Sequence, residues 1–224
     1  MSTVNLLSAA PRSPDREPPG RRNLATACDL AERVIVLAVY LALVWRILKN
    51  GWVSGELTNL LLLPSEGLVV LFLLIRRRAH TISARWQDWT LALAATLAPM
   101  LVEPGTGTSL VPPALAAGLL LIGIVVQVHA KLTLGRSFGC VPAHRGLQLN
   151  GPYRFVRHPM YAGYLLSHVA FLLVNPTWRN VAAYAVCYAL QFPRLIAEER
   201  WLAQDPAYRD YQTHVKYRLI PGVF

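Results

Sequence analysis

Six apolar runs separated by short polar blocks set the plan of this chain. The runs cover roughly 30–48, 57–75, 89–102, 110–129, 160–174 and 181–199. Most are long enough to cross a hydrocarbon layer as a helix, which needs about 20 residues. The third is short and would tilt or extend into the interface. The pattern predicts an all-α polytopic membrane protein of about six transmembrane helices, the last two forming a C-terminal helical hairpin around the tight turn at Asn175-Pro176. After the last run, Tyr208, Tyr211, Val215 and Leu219 recur at helical spacing, so the tail reads as an amphipathic helix folded back on the cytoplasmic face. Segment 132–150 is too polar to span and reads as a re-entrant loop. The first 23 residues, rich in Pro, Arg and Ser, read as a disordered basic tail rather than a signal peptide. Three regions follow: the tail at 1–23, N-terminal membrane helices at 24–114, and a core at 115–224.

Composition agrees with this plan. The chain has 224 residues, of which 54% are hydrophobic and only 15% charged, against about 25% charged in a soluble domain. The net charge of +10 would suit nucleic acid, but the basic residues follow topology instead. With the N-terminus inside, the inner segments hold nineteen Lys and Arg and the outer turns hold two, Lys49 and Arg179, with Arg46 unassigned. That asymmetry puts both termini and the 131–157 segment on the cytoplasmic side and excludes nucleic acid as a partner. The three cysteines are scattered, without metal-ligand spacing, so no metal is expected. Glu66 falls inside the second run. It reads as bonded to a neighbouring helix or lying near an interface, with a functional carboxylate as the alternative.

Candidate chemistry gathers at 151–163, which packs Tyr153, Arg154, Arg157, His158 and Tyr161 at the mouth of the fifth run. Free N–H groups at such a helix start favour an anionic or polar ligand. Snorkelling of Arg and Tyr to headgroups explains the same residues, and both readings stay open on chemistry alone. Near the end of the sixth run, Arg194 and Glu198 are four apart and share a helix face, while Glu199 points about 100° away. That face can lie beside His158 and Tyr161 if the last two helices pair. A surface ion pair at a helix end is the plainer account. Charge directly after Pro193, at membrane depth, weighs against it.

The string Gly151-Pro152-Tyr153, then Arg157-His158-Pro159, Tyr161 and Gly163, followed downstream by Glu198-Glu199, resembles the isoprenylcysteine carboxyl methyltransferase family and the related membrane phospholipid methyltransferases. The likeness covers roughly 115–222. Leu134-Gly135-Arg136-Ser137-Phe138 and Tyr208 with Tyr211 and Pro221 fit it too, whereas Asp205-Pro206 stands where the family usually has Phe-Gly. The resemblance implies S-adenosylmethionine as methyl donor. Carried over by position, Tyr153, Arg157, His158, Pro159, Met160, Tyr161 and Gly163 would form the cofactor site. Gln148, in the stretch that starts at Arg145, would contribute, and Glu198 would bind the cofactor. Arg194, Glu198 and Glu199 would be the catalytic set, Arg194 holding the polar group of a lipophilic acceptor that enters from the bilayer. A carboxylate acceptor needs no base. An amine or phenol does, and Glu199 or His158 would serve. Two further readings are a nicotinamide-dependent sterol-reductase-like membrane enzyme and a non-catalytic lipid-binding protein.

Overall fold

The computed structural model describes residues 19–54, 63–79, 81–103 and 107–224. The basic tail up to residue 18, the start of the second apolar run and His80 lie outside the described residues, as does the side chain of Arg46. Among the described residues seven α-helices run in chain order: α1 (Pro19–Ser54), α2 (Leu63–Ile75), α3 (Trp86–Leu97), α4 (Pro113–Leu134), α5 (Pro159–Val174), α6 (Trp178–Leu202) and α7 (Pro206–His214). The two-residue strands β1 (Thr81–Ile82) and β2 (Ala143–His144) pair antiparallel, Thr81 opposite His144. The pairing ties the loop after α2 to the loop after α4.

The fold is therefore mostly helical, as the apolar runs require. Among the described residues one helix, α4 with its 3₁₀ extension to Ser137, is long and apolar enough to cross a membrane, and the apolar stretches of α2 and α5 are shorter. Helix boundaries shift from the sequence expectation for local reasons. The first helix begins at Pro19, inside the stretch read as tail. The fourth continues through Lys131 to Leu134, taking the first residues of the presumed loop, and stops at Gly135 with φ 49°, a conformation suited to glycine.

Pro159 starts α5 at its first position, where a missing N–H costs nothing. The Thr177 side chain caps α6 by accepting from Asn180 N at 3.3 Å. Asp205 caps α7 by accepting from Ala207 N at 2.8 Å, with Pro206 next. That pair, which departs from the family pattern, thus forms a standard helix start. The predicted amphipathic tail is real but shorter: Tyr208 and Tyr211 are buried on α7, whereas Val215 and Leu219 are buried beyond its end.

The last two helices are joined by the short Asn175-Pro176-Thr177 turn and touch through side chains, His168 of α5 stacking on Tyr184 of α6 with ring centres 4.4 Å apart. The closest packing of α5, however, is against α4. Gly163 lies against α4 so tightly that an added Cβ would meet Gln127 Cγ at 2.7 Å, Gly123 O at 2.8 Å and Gln127 N at 2.9 Å. Gln127 and Ser167 seal the crossing with a buried 2.8 Å hydrogen bond. Helix α6 pairs instead with α3, where Asn180 accepts from Glu103 N at 2.9 Å and Gln191 donates to Ala95 O. Glu66 takes the plainer of its two readings: its carboxylate is 3.5 Å from Lys131 Nζ of α4, and that ammonium also sits 5.2 Å from the Tyr164 ring.

Gly163→Ala should push α5 off α4 and cost about 1–3 kcal/mol through overpacking. Gly118→Ala, in the same bundle with nothing within 4 Å of the new Cβ, should leave stability unchanged or raised. Thermal unfolding of the two variants in detergent separates them.

Candidate functional site

The segment between α4 and α5 is mostly loop, and α1 reaches into it and anchors it. Glu32, fully buried, accepts from Cys140 N at 2.7 Å and Val141 N at 3.0 Å. Its second oxygen meets Arg76 Nη1 at 3.0 Å and also Arg145. Asp29, one turn earlier, completes the square with Arg76 at 3.1 Å and Arg145 at 3.0 Å. Two carboxylates thus neutralise two guanidiniums away from water. Arg145 crosses Gly139 so closely that a side chain there would overlap the guanidinium.

This loop forms one wall of a cleft. Its lining includes Ser137, Cys140, Arg145, Gln148, Tyr153, Arg157, His158, Met160, Tyr161, Glu198 and, from α7, Tyr208 and Tyr211. Leu134, Leu147, Leu149 and Leu202 supply apolar surface. The cleft therefore joins the Glu198 carboxylate and several hydroxyls to a hydrophobic bed. Burial raises the Tyr153 and Tyr208 phenols well above their ordinary value, helped by nearby Glu198 for Tyr153 and by Glu199 and Glu198 for Tyr208. Both stay protonated donors at neutral pH. The Tyr211 hydroxyl donates to Tyr153 O at 2.6 Å, fixing the tail over the cleft. The Tyr208 hydroxyl is buried without a partner, which costs free energy unless a ligand accepts from it.

The structure divides the expected site residues. Tyr153, Arg157, His158, Met160, Tyr161, Gln148 and Glu198 line the cleft together. Pro159 and Gly163 are buried in α5 but do not line it; Gly163 serves the α4 contact. Glu199 is not in the cleft. It is buried 3.0 Å from Arg157 Nε, 3.1 Å from His158 Nε2 and 2.9 Å from Arg218 Nε. A carboxylate held by three such partners is a poor proton acceptor, so Glu199 is a tie between the motif and the tail. Backbone bonds double the tie: Arg157 N donates to Tyr217 O and His158 N to Arg218 O. Arg145, expected beside Gln148, spends its guanidinium on α1.

Arg194 also stands outside the cleft lining. It donates to Cys140 O at 3.1 Å and to Thr96 Oγ1 at 3.4 Å, with its guanidinium carbon 5.8 Å from the centre of the Tyr161 ring. Tyr161 donates in turn to Glu198 at 3.4 Å. Beyond Tyr161 lies a second, aromatic cavity shared with Tyr164, His168, Tyr188, Gln191 and Phe192. The residues that sequence reasoning missed are Asp29, Glu32 and Arg76 behind the cleft, and Tyr208 and Tyr211 within it. The first two left a trace: carboxylates at i and i+3 beside a long apolar run mark one buried helix face.

Comparison with known proteins fits this half of the molecule. Residues 111–208 match the phospholipid methyltransferase family. A segment of 90 residues is 32% identical to Protein-S-isoprenylcysteine O-methyltransferase A of Arabidopsis thaliana, covering 37% of this chain and 45% of the relative. The chain thus aligns with less than half the length of that relative. Both findings bear out the resemblance to the isoprenylcysteine carboxyl methyltransferase family, and the family match spans the motif and most of the cleft lining.

Glu32→Gln keeps the side-chain size but weakens the ion network. It should speed amide hydrogen exchange at Cys140 and Val141 by roughly tenfold or more. Unchanged protection at these two amides would show that the loop holds without α1.

Proposed function

We propose that this protein is an integral membrane, S-adenosylmethionine-dependent methyltransferase acting on a lipophilic acceptor. One observation carries the reading: the polar cleft and the aromatic cavity share Tyr161 as a common wall. A water-soluble donor and a lipid-soluble acceptor need two environments that meet at one point, and Tyr161 stands at that point. The likeness to methyltransferases of membrane substrates supports it.

The cleft residues suit the donor. Glu198 offers a carboxylate to a cationic or hydroxyl-bearing ligand, the buried Tyr208 hydroxyl lacks an acceptor, and the leucines and Met160 offer a bed for a flat ring. S-adenosylmethionine, when bound, supplies an electrophilic methyl group on a sulfonium. The protein's own part is alignment and exclusion of water. Tyr161 orients the meeting point through Glu198, and Arg194 steadies the Tyr161 ring and the Cys140 carbonyl. Glu199 locks the motif to the tail and takes no proton. The nineteen-to-two partition of basic residues supports six spans with the cleft and both termini at the cytoplasmic face.

Calorimetry on detergent-purified protein tests the donor site. S-adenosylmethionine should bind, Glu198→Ala should weaken binding by about tenfold or more, and Tyr208→Phe should weaken it less. Absence of binding by folded wild type, with a nicotinamide dinucleotide binding instead, would replace the reading by the reductase. If neither bound, the non-catalytic lipid-binding reading would stand.

A further inference from the structure

The aromatic cavity has a chemical character of its own. Its walls are Tyr161, Tyr164, His168, Tyr188, Gln191 and Phe192, with two leucines at its floor. No charged side chain lines it among the described residues. The guanidinium of Arg194 is occupied by Cys140 O and Thr96 and lines neither cavity. The volume is about 10 Å³, room for one water-sized group. The rim residue Phe192 is 44% exposed, so an apolar chain attached to that group can run out along the lipid-facing surface.

Gln191 is the amide in this lining. It donates to Ala95 O at 3.4 Å, and its carbonyl Oε1 is buried without a partner. A buried acceptor without a donor is costly, and a ligand that brings an O–H, S–H or N–H removes that cost. A carboxylate brings only lone pairs and would face the carbonyl with like polarity. His168, in the same lining, is held by Tyr188, whose hydroxyl lies 2.9 Å from Nδ1, and by stacking on Tyr184 with ring centres 4.4 Å apart. The cavity is thus small, uncharged and short of one hydrogen-bond donor.

We propose that this cavity takes the head group of a neutral, protic lipophile, an alcohol or thiol on an apolar chain, and that Gln191 selects for it over a carboxylate. The assignment rests on the methyltransferase reading only for its purpose; the binding preference stands by itself. It also gives methylation a physical consequence, since an ether or thioether has no proton for Gln191 to accept and fits the cavity less well than its parent.

The test uses full-length protein in lipid nanodiscs and three matched probes: dodecanol, its methyl ether and dodecanoate, at about pH 9 where the acid is ionised. Dodecanol should bind at least about tenfold more tightly than either the ether or the carboxylate, the scale of one unsatisfied buried polar group. Gln191→Leu should erase the preference for alcohol over ether. Equal binding of alcohol and ether by wild type would overturn the proposal, and that comparison needs no variant to fold. Tighter binding of dodecanoate, lost in Arg194→Gln, would overturn it in favour of a guanidinium-held acid. Failure of all three probes to bind would overturn it outright. These outcomes are separate from S-adenosylmethionine binding, whose loss would sink the methyltransferase reading and leave the preference measurable.

Discussion

Four charges in a dry place hold this molecule together. Asp29 and Glu32 of α1 meet Arg76 after α2 and Arg145 of the cleft loop, and Glu32 alone also satisfies two backbone amides of that loop. Exposed ion pairs contribute little, but here every member is almost fully removed from water. The charges balance only when all four are present. Removing one leaves a buried ion uncompensated, a cost of about 3–5 kcal/mol in comparable sites. The geometry of the cleft wall is therefore set by a helix far away in sequence.

A second tie works in the same way at the other side of the cleft. Glu199 binds Arg157 and His158 of the motif and Arg218 of the tail. The Arg157-His158-Pro159 run thus owes its arginine and histidine to architecture as much as to a ligand. Its backbone pairs with Tyr217 and Arg218, and its proline opens α5. The carboxylate that lines the cleft is Glu198, one residue before the tie. Two adjacent glutamates on one helix have opposite fates because about 100° of rotation separates a solvent cleft from an ion cluster.

The sequence was most readable where periodicity and local rules decide. The apolar runs foretold helices α2 to α6, the Pro159 and Asp205-Pro206 starts follow from capping chemistry, and Tyr153, His158, Met160, Tyr161 and Glu198 were expected beside one another and are. What it hid depends on contacts between distant residues. Nothing near Gly163 says that its partner is Gln127 rather than α6. Nothing near Arg145 says that its guanidinium is taken by carboxylates more than 110 residues earlier. The i, i+3 spacing of Asp29 and Glu32 was visible, but its partners were not. The Tyr208 and Tyr211 spacing announced a buried face without saying that it buries against the cleft.

The reach of α1 into the cleft loop bears on how such a protein can be taken apart and recombined. The segment that resembles known methyltransferases begins near residue 111, and the division looks like an anchor followed by a working half. The working half, however, carries Arg145 as an unbalanced cation unless Asp29 and Glu32 accompany it. An exchange of N-terminal helices between relatives would succeed only where the incoming helix brings acidic residues of the same register, and a cut at the family boundary would divide a salt network rather than a linker. The modular unit is the whole set of helices joined by those charges.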